Sequence, residues 1–339
     1  MPDSPIDANA LTLADYALQS NDPRIAAVVF SLHRTGSVLQ DIPMMTRPTL
    51  TILGARFRNG KLATTNWRKI NEEPVVAKST PEQFSESVYI LSNNIDTDVK
   101  LLLDENQIED PRSLQFRAWL EGAVYDVNDK WINNDHLTGD ADAPVGLRTR
   151  LDDPTLWGVE AALKIDALGV DMTQGAMTAS TANNFIEFIQ QMLDEMGNPE
   201  GDNVVMYMNE LVKRRFERAI RLLGAGAGWN MVTDAFDRAV TRYKNATIRV
   251  IGRKADGTTQ IITNTETAAG ADGASTFSSL YMVRYGEGYA MGWQMEPLFV
   301  NDLGILNNGV IYRINMDYAW GTLFTNTYSM SRLFNIKVS

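Results

Sequence analysis

The segment that decides the fold is VNDLGILNNGVIYRINMDYAWGTLFTNTYSMSRLFNIKV, residues 300–338. Large apolar side chains occupy every even position from residue 312 to residue 320, and polar residues occupy most of the positions between them. A period of two predicts a long β-strand with one buried and one solvated face. We expect Gly321 to interrupt this strand, and the same register resumes at Phe324. On its own, the segment is also compatible with the last hairpin of any mixed α/β domain.

Composition limits the classes of protein that fit. The chain has 339 residues, no cysteine and a formal net charge of −11. Its length exceeds a usual single core, so we expect one large domain or two lobes. The absence of cysteine excludes disulfides, thiolate nucleophiles and thiolate zinc sites, and the negative charge disfavours a general nucleic-acid binder. The sequence contains neither a membrane-spanning apolar run nor a secretory signal pattern, so we expect no membrane partner.

The longest helical pattern runs from Arg112 to Asn134. Its apolar residues recur three or four positions apart, which places them on one face of a helix. These residues are Phe116, Leu120, Val124, Val127 and Trp131. The pattern is about twice as long as a mean helix. We therefore predict a long helix that packs on the sheet through this face.

A second lobe alternates helical and strand patterns between residues 181 and 288. The predicted helices are residues 181–197, 210–224 and 232–245, and the predicted strands are residues 204–209, 247–253 and 277–288. Together with the closing strands, this order predicts an α+β fold.

No motif of catalysis or ligand binding stands out. His33 and His136 have no recognisable nucleophile motif around them. The GAGAG run at residues 224–228 follows a helix, whereas phosphate-binding loops follow a strand. The paired aspartates at residues 140 and 142, and at 152 and 153, lack the glycine and distal glutamate of a calcium loop. We predict no catalytic, cofactor-binding or metal site, and no enzyme activity.

Charge is distributed unevenly along the chain. Residues 47–78 contain seven basic and two acidic residues, whereas residues 82–110 contain eight acidic residues and one lysine. Asn59-Gly60 favours a tight hairpin turn, so we expect residues 49–57 to pair with residues 66–70 in a ribbon with few apolar residues. The ribbon is either a solvated surface hairpin or an arm that docks on an acidic neighbour. For the second reading the contact residues are Arg56, Arg58, Lys61, Arg68 and Lys69, and the acidic target is residues 82–110.

The order of these elements resembles the major capsid proteins of tailed bacteriophages, which have the Hong Kong 97-type fold. The closing strands quoted above resemble the end of that family's peripheral domain. Four further strings are similar to family segments in the same order: LTLADYALQSNDPRIAAVVFSLHRTGSVLQDIPM (opening arm), VGLRTRL (after the long helix), VVMYMNELVKRRFERAI (axial domain) and SLYMVRYGEGYAMGWQ (return to the peripheral domain).

The resemblance implies five regions. They are an N-terminal arm (1–45), an extended two-stranded loop (46–85), a peripheral domain with a long spine helix (86–150), an axial domain (151–294) and the return strands of the peripheral domain (295–339). It further implies that the extended loop docks on the spine-helix region of a neighbouring subunit.

The function implied is that of a shell subunit without an active site. We expect pentamers and hexamers of the chain to form an icosahedral capsid around phage double-stranded DNA, assembled in the host bacterial cytoplasm. Expected partners are copies of itself, a portal, scaffold or decoration proteins, and packaged DNA through non-specific contact. The alternatives are a nanocompartment (encapsulin-like) shell that encloses a cargo enzyme and, more remotely, a carboxylate-dependent hydrolase.

Overall fold

The computed structural model describes residues 38–56, 66–102, 111–197, 203–224, 229–233, 239–244, 246–267, 276–296, 299–307 and 309–338. Within these ranges the chain is an α+β fold, as predicted, with one twelve-stranded sheet and a separate two-stranded ribbon. The strands are β1 (Met44–Thr46), β2 (Thr51–Arg56), β3 (Glu82–Ser87), β4 (Tyr89–Asp98), β5 (Lys164–Asp166), β6 (Asn203–Met208), β7 (Trp229–Thr233), β8 (Ala239–Tyr243), β9 (Ala246–Val250), β10 (Phe277–Tyr285), β11 (Ala290–Gln294), β12 (Phe299–Ile305), β13 (Ile311–Phe324) and β14 (Met330–Lys337). The helices are α1 (Val99–Leu102), α2 (Pro111–Asn133), α3 (Leu147–Asp152), α4 (Pro154–Trp157), α5 (Ala179–Glu195) and α6 (Glu210–Leu223).

Strand β13 is the organising strand of the sheet. Its first part lies between β12 and β4, and its last five residues pair with β11. Met316, Tyr318 and Trp320 are buried while Asp317 is exposed, so the predicted alternation is confirmed for residues 316–320, whereas residues 311–315 are all half-buried. The predicted break at Gly321 is wrong, because the strand continues to Phe324. A side chain at Gly321 would collide with the carbonyl of residue 87 and the Trp293 ring, so the glycine serves close packing.

Helix α2 confirms the prediction of a long helix to within one residue at each end. Proline at its first position suits a helix start because its missing N–H would have no intrahelical partner there. Leu120, Val124, Val127 and Trp131 are buried, and Phe116 is partly buried against the core. The Trp131 ring stacks on Phe324 of β13 at 5.8 Å, so this face of the helix packs on the sheet.

The part of the sheet that lies in the predicted axial domain, called here the axial part, combines β10, β6 and β9 with helices α5 and α6, and β14 of the predicted return strands pairs with β10. Thr178 and Asn209 cap the two helices through side-chain oxygens that accept backbone N–H groups, as expected for helix starts. Strand β6 is buried along almost its whole length, and Phe185 of α5 meets Phe216 of α6 edge to face at 6.4 Å. These helices and strands agree with the predicted elements.

The helix predicted at residues 232–245 is wrong. The described residues there form β7 and β8, which pair antiparallel, and β8 also pairs with β9. Val240, Thr241 and Tyr243 favour strand, and all three pair with β7, while Tyr243 also pairs with β9. Tyr243 is buried and packs edge to face on Phe216 at 5.6 Å. Tertiary packing therefore overrides a weak helical pattern.

The predicted pairing of the ribbon is also wrong. Strand β2 pairs with β3, from Thr51↔Ser87 to Arg56↔Glu82, and residues 66–81 contain no strand. The Asn59-Gly60 turn lies outside the described residues. The Phe84 ring lies where a side chain at Gly54 would be, so this pairing is favoured by a fit between residues far apart in the sequence.

Of the expected N-terminal arm, only the end lies within the described residues. Strand β1 pairs with β11, and the backbone N–H of Val38 donates to Asn128 of α2 at 3.0 Å. Asp41 accepts hydrogen bonds from Arg249 (3.0 Å) and from the buried hydroxyl of Tyr207 (3.2 Å). These contacts therefore fix residues 38–46 against helix α2 and the sheet.

Candidate subunit-contact site

The five residues predicted to contact a neighbouring subunit do not share one environment. Arg58 and Lys61 lie outside the described residues. Arg68 and Lys69 are exposed, whereas Arg56 is buried and lies over the Phe84 ring at 5.0 Å. The Arg56 guanidinium also occupies the space that a side chain at Gly158 would need, and Gly158 has the left-handed φ of +62° that favours glycine. Arg56 thus anchors the ribbon on its own chain.

A small turn holds the exposed basic pair. The backbone N–H of Lys69 donates to the Glu72 carboxylate at 2.9 Å, and the Arg68 guanidinium donates to the Glu72 carbonyl at 3.1 Å. Asn71 takes a positive φ of 67°, which asparagine tolerates better than most residues. The turn leaves Trp67 98% exposed and Ile70 92% exposed.

Exposed apolar side chains are concentrated in this part of the chain. Between residues 50 and 76 they are Leu50, Leu53, Trp67, Ile70, Val75 and Val76. Single exposed apolar residues are ordinary, whereas contiguous exposed apolar patches mark interaction surfaces, so this concentration makes the segment a candidate contact surface. The sequence analysis predicted a basic ribbon with few apolar residues. The sequence signal that was missed is that Trp67 and Ile70 have only polar and charged residues beside them, so no local apolar face is available to bury their side chains.

A buried ion pair fixes the base of the ribbon. The two terminal guanidinium nitrogens of Arg150 donate to the Glu86 carboxylate, at 2.6 and 2.8 Å, and both side chains are buried. The Arg150 guanidinium also lies over the rings of Phe324 (4.6 Å) and Trp157 (5.1 Å). A paired, planar contact of this kind restricts orientation. The ion pair therefore fixes the direction in which the ribbon extends from the rest of the chain.

The acidic stretch expected as the docking target is partly used inside the chain. Glu86 is committed to Arg150, and Asp96 accepts two hydrogen bonds from Arg313 at 2.6 Å each. The Arg313 guanidinium lowers the pKa of the Asp96 carboxyl below its usual value. Residues 103–110 lie outside the described residues.

A different acidic surface lies beside helix α2. A cavity of about 190 Å³ opens between α2, β4 and the loop at residues 140–144. Its apolar lining includes Ile90, Leu91, Val127 and Trp320, and its charged lining consists of Asp126, Asp140, Asp142 and Lys130.

Charge at this cavity is only partly neutralised. Lys130 pairs with Asp140 at 2.7 Å, so the other two aspartates are in excess. Partial burial raises the pKa of Asp126; Lys130 opposes this effect, and Asp129 and Asp140 add to it. The site combines an apolar floor with a net negative rim. This chemistry suits a segment that carries both apolar and basic side chains.

Within the described ranges, no three His, Cys, Asp or Glu side chains converge in a way that would hold a metal ion. His136 packs edge to face on Tyr89, with ring centroids 6.0 Å apart. Among the helices in those ranges, none combines the length and apolar character needed to cross a bilayer.

Comparison with solved structures identifies the architecture. The capsid of a native GTA particle is similar over 89% of this chain and 90% of its own, with 11% identity and a TM-score of 0.57. The capsid of Myoviridae phage XM1 is similar over 86% and 90%, with 11% identity and a TM-score of 0.54. This chain has the Hong Kong 97-type capsid fold.

Two further comparisons bear on the capsid fold. The holo-SrpI encapsulin complex from Synechococcus elongatus PCC 7942 is similar over 95% of this chain and 90% of its own, with 10% identity and a TM-score of 0.57. The family model of the major capsid protein GP7 matches residues 20–170, which contain the predicted arm from residue 20 onwards, the extended loop and the spine helix. No curated protein matches the chain in sequence. The predicted resemblance to tailed-phage major capsid proteins is confirmed.

Proposed function

We propose that this protein is the major capsid protein of a tailed bacteriophage. Copies of the chain assemble as pentamers and hexamers into an icosahedral shell around double-stranded DNA. The observation that supports this best is a capsid fold whose extended loop has a fixed base and exposes apolar and basic side chains that the described part of its own chain leaves uncovered. Further partners are a portal, scaffold or decoration proteins, and packaged DNA. Assembly takes place in the host cytoplasm, and the protein catalyses no reaction.

Within this function, we assign the loop a receiving site. Trp67 and Ile70 of one subunit cover the apolar floor of the α2 cavity in its neighbour, while Arg68 and Lys69 face the aspartate rim. Each exposed ion pair contributes only about 0–1 kcal/mol, so the apolar contact supplies most of the stability and the charges select the partner. Repetition over every contact of a closed shell multiplies both effects.

A charge-reversal variant tests the docking of the loop. Arg58, Lys61, Arg68 and Lys69 are changed to Glu, and Arg56 is kept because it is buried. We expect a folded subunit whose yield of shells, counted by electron microscopy, falls sharply at low salt. The loss is expected to shrink near 1 M salt, where the screening length is about 3 Å. Normal shells from the variant at low salt would contradict the role of these charges.

Engineered cysteines test the receiving site, and the absence of native cysteine makes the readout clean. With Ile70→Cys and Ile90→Cys in one chain, we expect disulfide-linked ladders from assembled shells on a non-reducing denaturing gel. Each single substitution is the control and gives monomers. A Leu168→Cys partner for Ile70→Cys is the decoy, since Leu168 is exposed but lies outside the cavity. Ladders from the decoy and none from the test pair would refute the site.

The nanocompartment shell is the second candidate, because the encapsulin structure has the same TM-score as the GTA capsid. The two candidates differ in what the shell contains. Purified particles that carry nuclease-protected DNA support the capsid, and particles that carry a co-purifying enzyme support the nanocompartment. Absence of closed shells under all conditions would reject both.

A further inference from the structure

Helix α6 is strongly basic in an acidic protein. Its 14 residues include five basic side chains, Lys213, Arg214, Arg215, Arg218 and Arg221, and two acidic ones, Glu210 and Glu217. The whole chain has a net charge of −11. A local excess of positive charge of this kind indicates a negatively charged partner.

The geometry separates an apolar face from a basic one. Val212, Phe216, Ala219 and Ile220 are buried. Arg214, Arg218 and Arg221 follow one another at spacings of four and three residues, so they form one stripe on the outer surface of the helix. Arg214 and Arg221 are exposed and Arg218 is partly exposed. We call these three residues the arginine stripe.

Ion pairs among the residues that the structure describes leave the arginine stripe largely unneutralised. Lys213 lies 3.9 Å from Glu217, and the Arg215 guanidinium donates to the carbonyl of Val338 at 3.4 Å. Among the described residues, Arg218 and Arg221 form no salt bridge. Burial lowers the pKa of Arg215, and the positive charges of Arg218 and Arg214 lower it further. Like charges at these spacings repel one another and destabilise a helix.

The chemistry of the surface distinguishes between kinds of partner. The one large apolar residue exposed on α6 is Leu222, whereas the described part of the extended loop exposes six. Protein interfaces have an apolar core, whereas interfaces with nucleic acid are polar and strongly positive. A row of guanidinium groups without an apolar centre fits a phosphate backbone better than another subunit.

We propose that the arginine stripe faces the interior of the shell and contacts the backbone phosphates of packaged duplex DNA. This inference rests on the proposed function and assigns the inner surface of the axial part. Each phosphate contact releases counterions from the DNA and does not involve the bases. Binding therefore depends on the salt concentration and not on the DNA sequence. Three charges per subunit hold DNA weakly at each point and leave it free to enter and leave.

Photo-crosslinking in DNA-filled particles tests the orientation. A photoreactive amino acid replaces Arg221 in one sample and Arg242 in the other. Tyr243 packs towards α6, and successive side chains of a strand point to opposite faces, so the exposed Arg242 lies on the other side of the sheet. We expect irradiation to link the capsid protein to DNA at position 221 and not at position 242. Links from position 221 to a neighbouring subunit, or no links to DNA, would overturn the inference.

A binding measurement provides a second, independent readout. The Arg214→Gln/Arg218→Gln variant and the Arg242→Gln/Lys244→Gln control change charge equally. We expect the first to reduce the slope of log affinity against log salt for a 30-base-pair duplex by about 2, and the control to leave it unchanged. Equal slopes for the two variants would count against the arginine stripe. If shells form and fill with DNA while both tests fail, this inference falls and the capsid function stands; if no shells form, the function itself falls.

Discussion

The extended loop exposes large apolar side chains, whereas helices α5 and α6 bury theirs against the sheet. In α5 and α6 the large apolar residues Phe185, Ile189 and Phe216 are completely buried against the sheet. In the loop, Trp67 and Ile70 are almost completely exposed, although a tryptophan can bury more area than any of them. The axial part therefore derives its stability from contacts within one chain. The loop carries apolar area that the described part of its own chain leaves uncovered, and the proposed assembly function offers another subunit to cover it.

The largest expected effect comes from the buried ion pair at the base of the ribbon. Arg150→Ala leaves the Glu86 carboxylate buried without its partner, so we expect the free energy of unfolding to fall by about 3–5 kcal/mol. Urea denaturation of the subunit measures this. Arg313→Ala breaks an exposed pair of similar geometry and serves as the control, with little change expected. Equal losses in the two variants would show that burial does not set the strength of the pair.

Two tryptophans test the comparison most directly. Trp131→Ala removes a buried ring stacked on Phe324 and is expected to destabilise the subunit by about 3–5 kcal/mol. Trp67→Ala is expected to change subunit stability by less than about 0.5 kcal/mol, because the ring is 98% exposed and touches little of the described part of its own chain. The same variant is expected to assemble poorly when shells are counted by electron microscopy. Trp67→Ala subunits that assemble normally would place the loop in solvent.

Helix α2 offers a matched pair of leucines. Leu120 is buried and Leu114 is 53% exposed on the same helix. We expect Leu120→Ala to cost about 2–5 kcal/mol of unfolding free energy, because the side chain leaves a cavity. Leu114→Ala is expected to cost much less. Similar midpoints of urea denaturation for the two variants would argue against the burial of the α2 face.

The smallest expected effect is a pH dependence at Asp152. Burial raises the pKa of its carboxyl, but Lys164, Arg332 and Arg148 outweigh it, so the folded pKa lies below the ordinary value. A depressed folded pKa contributes stability above the unfolded pKa of about 3.9, and this contribution is lost as the pH falls through the folded pKa. We expect Asp152→Asn to destabilise the subunit at pH 7 and to differ less from the wild type at pH 3. If the variant and the wild type differed in stability by the same amount at pH 7 and at pH 3, this linkage would be excluded.

Local periodicity accounts for what could be predicted of the fold. The period of two in β13 and the period near 3.6 in α2, α5 and α6 each follow from one short segment whose apolar face needs a core. The candidate contact site was predicted less well. The charges of Arg68 and Lys69 were visible in the sequence, but the burial of Arg56 depends on Phe84 and Gly158, which lie far along the chain.

The sequence by itself determined the long closing strand, the α2 helix, the order of elements that carries the capsid resemblance, and the positive charge of the loop. Tertiary structure decided the partner of β2, the strand conformation of β7 and β8, the close packing at Gly321 and the buried Arg150–Glu86 pair. The physical reason is distance along the chain. A helix or strand face is specified by neighbours a few positions away. Strand pairing and ion-pair burial are specified by residues such as 86 and 150, which meet only once the chain has folded.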